Sequence, residues 1–269
     1  MARLYWLLEG HGADRPQTSS LRRRYGATYN MLKSKAIGGA LGVLCAMMLT
    51  SNYVKAQSTL FNIPSTDVVA KKKTYVEFDF VSHLESHSKG GFQVYVPRVV
   101  YGLANHIEVG TNVAFADTLA PDQPVELQPN IKCQFYSNEK NGLAAAAGGI
   151  LYTPIAHRAG IDTFGLLYTT VSKKWRGNYG PRVTGGGYGL VGRANGNGSE
   201  GGAIVGYEQP LHPKVNFVAD WFSGKNRFGY VTPGLSFVVT KTSAFYAGYS
   251  IGNIGRKNNA LFLYYGITF

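Results

Sequence analysis

The segment His-Leu-Glu-Ser-His places His83, Glu85 and His87 at every second position. On an extended backbone that spacing projects three metal-binding side chains to one side. A metal also needs a rigid shell and partners that orient its ligands. This stretch runs straight into Ser-Lys-Gly-Gly, so it reads as a solvated connection and no metal is expected. A second candidate, Gly187 to Gly192, satisfies the G-x-G-x-x-G pattern of dinucleotide sites. The pattern works only where the glycines end a strand and open a helix whose N-terminus meets the pyrophosphate. The residues that follow, Arg-Ala-Asn-Gly-Asn-Gly-Ser-Glu-Gly-Gly, do not sustain a helix, and no cofactor is expected. Hydrolysis would require a Ser or carboxylate beside a His with an orienting group. His83, His87, His106, His157 and His212 all fall at strand ends or in connections, and G-x-S-x-G is absent, so no catalytic residue is assigned.

The elements that position side chains follow from composition and period. Charged residues make up 16% of the 269, against 34 Gly, 18 Tyr and 14 Phe, a balance that favours closely spaced aromatic-rich strands over helices. Half of the formal net charge of +12 lies in residues 1–56. The remainder forms no dense basic stripe, which argues against nucleic acid as a partner.

The basic leader has its own explanation. From Met31, Lys33 and Lys35 precede an apolar run from Ala36 to about Leu49, and Val54-Lys55-Ala56 follows. This is the pattern of a secretory signal over 31–56, too short in its apolar run for a comfortable span, with cleavage expected after Ala56. Residues 1–30 read as an upstream over-extension of the frame; the alternative is a cytoplasmic arm on an N-terminal anchor helix. Cys45 follows Val43-Leu44 rather than small residues, so lipidation is not expected. Cys133 is then the single mature cysteine and alternates with apolar positions, as a buried or lipid-facing thiol would.

Residues 57–73, with Pro64 and three consecutive lysines, show no sustained period and read as a leader or plug. From residue 74 to 269 the chain is a series of runs of period two. In Val-Glu-Leu-Gln-Pro-Asn-Ile-Lys-Cys-Gln-Phe-Tyr, Val125, Leu127, Pro129, Ile131, Cys133 and Phe135 share one face, and Glu126, Gln128, Asn130, Lys132, Gln134 and Tyr136 the other. Glu77 and Asp79, Glu108 and Asn112, and Asn216 and Asp220 take the polar face of their own runs. Twelve strands are expected, near 74–83, 92–102, 106–116, 125–136, 143–154, 163–172, 182–192, 202–211, 215–223, 227–240, 243–251 and 260–269. An even count, with generally tighter connections alternating with longer ones, is the signature of an all-β, antiparallel, up-and-down outer-membrane barrel with both termini in the periplasm.

The segment Pro97 to Ala116 contains Tyr101, Gly102 and Leu103 followed by Glu108 and Gly110. It resembles the turn-and-strand unit of the MetA-like outer-membrane barrels, the family named for the meta-pathway of phenol degradation. Val-Thr-Pro-Gly-Leu-Ser-Phe, Phe-Tyr-Ala-Gly-Tyr-Ser-Ile-Gly and the terminal Tyr-Tyr-Gly-Ile-Thr-Phe are similar to it as well. The resemblance implies a barrel that passes small, apolar compounds, and it carries no catalytic residues. The ending, with Tyr265, Gly266, Ile267 and Phe269, resembles the C-terminal signal read by the barrel-assembly machinery.

A barrel of this kind puts Glu77, Asp79, Glu108, Asn112, Glu126, Gln128, Asn130, Lys132, Gln134, Asn216 and Asp220 in its lumen. The expected function is porin-like: passive or weakly selective passage of small solutes, with outer-membrane lipid around the wall. Two alternatives stand beside it. One is a non-conducting barrel whose lumen is closed by pairs such as Lys132 with Glu126 or Glu108. The other is a barrel-embedded hydrolase.

Overall fold

The structure, a computed structural model, describes residues 59–117, 125–156, 162–192, 198–255 and 258–269. The expected signal, its cleavage site and His157 lie outside these residues. Twelve strands follow one another: β1 (Thr74–His83), β2 (Phe92–Ala104), β3 (Ile107–Asp117), β4 (Val125–Asn138), β5 (Leu143–Ala156), β6 (Phe164–Lys174), β7 (Arg182–Val191), β8 (Gly201–His212), β9 (Val215–Phe222), β10 (Tyr230–Val238), β11 (Ser243–Gly252) and β12 (Ala260–Thr268). Each pairs antiparallel with its neighbours in sequence, and β1 pairs with β12, so the sheet closes on itself.

The closing seam runs from Tyr75 opposite Thr268 to Ser82 opposite Leu261. Backbone bonds between Thr74 and Phe269, at 2.8 and 3.3 Å, finish it. Tyr265 and Phe269 are half-buried and Ile267 is buried. Gly266 lies beneath the Tyr75 ring, where an added Cβ would stand 2.1 Å from the hydroxyl. No other residue allows that approach.

Closure fixes the two faces. The outer wall exposes Val99, Ile131, Leu151, Leu167, Val171, Val205 and Ile251 along the strands. Glu77, Asp79, Glu108, Glu126, Lys132 and Asp220 are buried within it. An apolar exterior around a polar interior inverts the usual arrangement of a protein in water, and suits a wall in hydrocarbon. The connections differ at the two ends. Those at the end bearing Thr74 and Phe269 span 105–106, 139–142, 175–181, 213–214 and 239–242, while the far end has longer ones such as 84–91, 192–200 and 223–229.

Two local departures from strict alternation matter. A register shift between Gln134 and Tyr136 turns Tyr136 outward, although period two places it on the inner face with Gln134. β10 begins at Tyr230 instead of near 227, which frees Arg227 and Phe228 to fold inward.

Ile131, half-exposed at 52% and opposite Val109, is the sharpest test of the outer face. Ile131→Lys should destabilise the barrel by about 2–4 kcal/mol if the residue sits near the bilayer midplane. The loss would show as a lower urea midpoint for the heat-modifiable gel band after refolding in lipid.

Candidate functional site: an occupied lumen

A barrel of about eight strands is just wide enough for its own side chains to fill. Twelve leave more room, and here residues 59–70 take it. Leu60, Phe61, Ile63, Ser65, Thr66 and Val69 are all buried. Thr59 bridges back to Pro64, and Leu60 N–H donates to Ile63 O at 2.9 Å, making a compact turn at the start of the segment. The segment leaves through Lys72, at φ 65°, whose N–H donates to Gly102 O at 2.8 Å near the foot of β2.

Side chains from strands all around the ring hold this plug, among them β3, β6, β9 and β12 at even spacing. On β9, Asp220 accepts from the backbone N–H of Asn62 at 2.5 Å and of Ile63 at 3.0 Å, and from the Asn62 amide at 3.0 Å. On β3, directly across, Glu108 accepts from Val69 N–H at 2.6 Å. On β6 the Ser172 hydroxyl meets Thr66 at 2.6 Å, and on β12 the Tyr264 hydroxyl donates to Leu60 O at 3.0 Å. Gln134 donates to Thr66 O at 2.9 Å, and Arg98 to Thr59 Oγ1 at 2.9 Å. Arg182 joins Asp67 of the plug to Glu208 of the wall.

Packing matches the polar contacts. The Phe61 ring lies 5.7–6.0 Å from the rings of Tyr246, Phe262 and Tyr264. It rests on Gly234 and Gly248, where an added Cβ would come within 2.5–2.8 Å of it. The wall is recessed where the plug bulges.

The other expected lumen residues form a network around the plug. Arg98 lies 2.8 Å from Glu77 and 3.7 Å from Asp79, and the Tyr75 hydroxyl donates to Glu77. Asn112 donates to Gln128 at 3.1 Å, and Gln128 to Glu126 at 2.8 Å. Asn216 donates to Ser236 at 2.9 Å, and the half-buried Asn130 to the Gln128 carbonyl at 3.2 Å. Lys132 and Glu108, opposite each other in register, sit 3.0 Å apart with both side chains 2% exposed. Of the two acids weighed as its partner, Glu108 takes it.

Glu126 instead pairs with Arg227, whose two amino groups donate to its oxygens at 2.7 and 2.9 Å. Arg227 comes from the β9–β10 connection, across the lumen from β4. Its guanidinium also lies 4.9–5.3 Å from the rings of Tyr152, Phe164 and Phe228. Burial works against its charge, but the Glu126 carboxylate outweighs burial and moves the Arg227 pKa up. This contact bridges the lumen towards the far end.

Sequence reasoning missed Arg98, Arg182, Glu208 and Arg227. Arg98 and Glu208 share inner-face parity with Val100 and Ile204, a usable signal hidden because both faces of their runs look apolar. Nothing in the sequence separates Arg227 from the strand expected there. The residues first singled out for chemistry do not come together. His83 stacks on Phe92 and meets Asn259 O at 2.5 Å, while Glu85 is exposed and His87 lies in a short 3-10 turn. His106 bonds to Gln134 at 3.0 Å, and His212 accepts from Lys214 N–H at 3.4 Å. Among the described residues no group of three or more His, Cys, Asp or Glu is placed to hold a metal. The glycines of the G-x-G-x-x-G match lie in β7 and the turn after it.

A closed antiparallel barrel, apolar outside and polar within, defines the class: this chain is a β-barrel of the bacterial outer membrane. No protein-family model matches the sequence, and no curated protein matches it. The fold is similar to an outer membrane channel from Pseudomonas putida F1, at 12% identity over 80% of this chain and 100% of that one, with a TM-score of 0.49. It is similar also to outer membrane phospholipase A from Escherichia coli, at 13% identity over 73% and 92% of the two chains and a TM-score of 0.43. The outer membrane phospholipase of Salmonella typhi, a dimer with bound calcium, gives 13%, 73%, 90% and 0.43.

The Lys132–Glu108 pair yields a test of lumen energetics. Lys132→Met removes the lysine from a buried carboxylate and should cost about 3–5 kcal/mol, whereas adding Glu108→Gln should recover most of the loss. Urea unfolding of the refolded variants reads both. Equal stability of wild type and Lys132→Met would mean that water reaches the pair.

Proposed function

We propose that the protein is an outer-membrane channel for small solutes that rests closed, with residues 59–70 as its gate. The observation that carries this reading is how the segment is held. Its backbone makes no strand pairing with the wall among the described residues; the contacts with β3, β6, β9 and β12 run through side chains. Each such bond exchanges with water at modest net cost, so the segment can leave without opening the sheet. A barrel needed only as a scaffold would be closed more cheaply by a narrower ring with an apolar core.

The wall left behind would be polar and mostly acidic. Glu77, Asp79, Glu108, Glu126, Glu208 and Asp220 outnumber Arg98, Lys132, Arg182 and Arg227, a balance that favours cations over anions. The resemblance of the Tyr101 to Gly110 unit to the meta-pathway barrels supports the same reading and adds small apolar compounds as candidate solutes.

Planar-bilayer recordings test it. The mature protein should show small, infrequent openings. A variant lacking 59–70 should conduct severalfold more, with reversal potentials in a salt gradient shifted towards cations. Phe61→Ala, which keeps the segment and empties its seat, should fall between. A folded barrel that stays silent in all three forms would be a non-conducting scaffold, and the proposal would fail.

A further inference from the structure

Among the described residues, charge is distributed unevenly between the two ends of the barrel. The connections at the end bearing Thr74 and Phe269 carry Lys140, Arg176, Lys214 and Lys241, the last residues of β6 add Lys173 and Lys174, and the run 71–73 completes the ring. Among the described residues of those connections, Glu139 is the single acidic side chain. Among the described residues of the far-end connections the signs are mixed, with Glu85, Asp162 and Glu200 beside Lys89, Lys225 and Arg227.

Part of this ring is held in place. Arg176 donates to Lys140 O at 2.7 Å, Lys173 to Asn141 O at 2.5 Å, and Lys174 N–H to Gly142 O at 2.7 Å, so the β4–β5 and β6–β7 connections are tied together. These bonds go to carbonyls. Lys140, Lys173, Lys174 and Arg176 make no ion pair with a carboxylate among the described residues. Immediately beside them Tyr136, Trp175 and Tyr179 are exposed. Aromatic side chains of this kind settle at the depth of lipid head groups.

We infer that this end is a collar for anionic phospholipid head groups, centred on Lys140, Lys173, Lys174 and Arg176. The basic groups and the exposed aromatics share one level at the end of the wall, where a leaflet surface meets the barrel. The occupant is a lipid phosphate, because Lys140 and Arg176 stand in the rim connections and Lys173 shares the outward parity of Val171, beside the exposed Trp175 and Tyr179. With short connections on the periplasmic side, the leaflet concerned is the periplasmic one. The inference holds whether or not the barrel conducts.

The two tryptophans of the described chain supply the test, since Trp175 stands in the collar and Trp221 lies towards the far end of β9. Single-tryptophan forms, Trp6→Phe/Trp221→Phe and Trp6→Phe/Trp175→Phe, are reconstituted in vesicles containing either brominated phosphatidylglycerol or brominated phosphatidylcholine at equal mole fraction. Phosphatidylglycerol should quench Trp175 in clear excess over phosphatidylcholine, while Trp221 shows no preference. In the Trp175 form, the variant Lys140→Gln/Lys174→Gln/Arg176→Gln should lose the excess by up to about fivefold per charge removed, the equivalent of ~1 kcal/mol per basic side chain near an anionic surface. Raising salt should erase the preference in the unaltered collar, which gives a reading independent of how the triple variant folds. Equal quenching by the two lipids at Trp175, the same preference at Trp221, or a preference insensitive to salt would overturn the inference.

Discussion

Within a bilayer an unpaired backbone N–H or C=O has no water to turn to, so a sheet survives there only if it has no edge. The pairing of β1 with β12 meets that demand here, and the remaining architecture follows from it. Once the ring is closed, the parity of each residue decides whether it meets lipid or lumen. Glu77 and Asp79 then have to be buried, since turning them outward would put Phe78 and Phe80 inside and two carboxylates into hydrocarbon. The same closure creates an interior wider than the side chains fill, and the chain preceding β1 enters it.

Burying that many charged groups is costly unless each is paired or bonded. The lumen meets the condition by joining wall to wall as well as neighbour to neighbour. Glu108 serves Lys132 beside it and Val69 of the plug, and Arg182 serves Glu208 and Asp67 in the same way. Removing the plug would therefore return several carboxylates and guanidinium groups to water together, which is how a polar lumen differs from an apolar core. The fixed charges that hold the segment are those a passing solute would meet.

Most of the fold was legible because period two is a one-residue rule, and stretches such as 126–134 obey it without help from distant contacts. The Gly-rich strands β5 and β7 show weak contrast between faces, but their turns bounded them adequately. Legibility failed where tertiary contacts overrule the local pattern. Tyr136 is turned by a bulge, and Arg227 is drawn out of the expected strand by Glu126 on the opposite wall. The plug's place was beyond sequence reading in detail, because its irregular backbone is specified by Asp220, Glu108, Ser172 and Tyr264, each far away in the chain. Lys132 illustrates the limit on the site: its face could be read, but its depth and its choice of Glu108 over Glu126 could not.

The contacts to β3, β6, β9 and β12 stand a quarter of the circumference apart, with those from β2, β4 and β7 between them, so the plug meets the wall as a hub meets the rim of a spoked wheel. A thin rim keeps its roundness while the spokes are in place and flattens easily once they are gone. Departure of the segment would thus release the cross-section to become oval in any direction, and the width of the passage would depend on lateral pressure from the surrounding bilayer as well as on the side chains left inside.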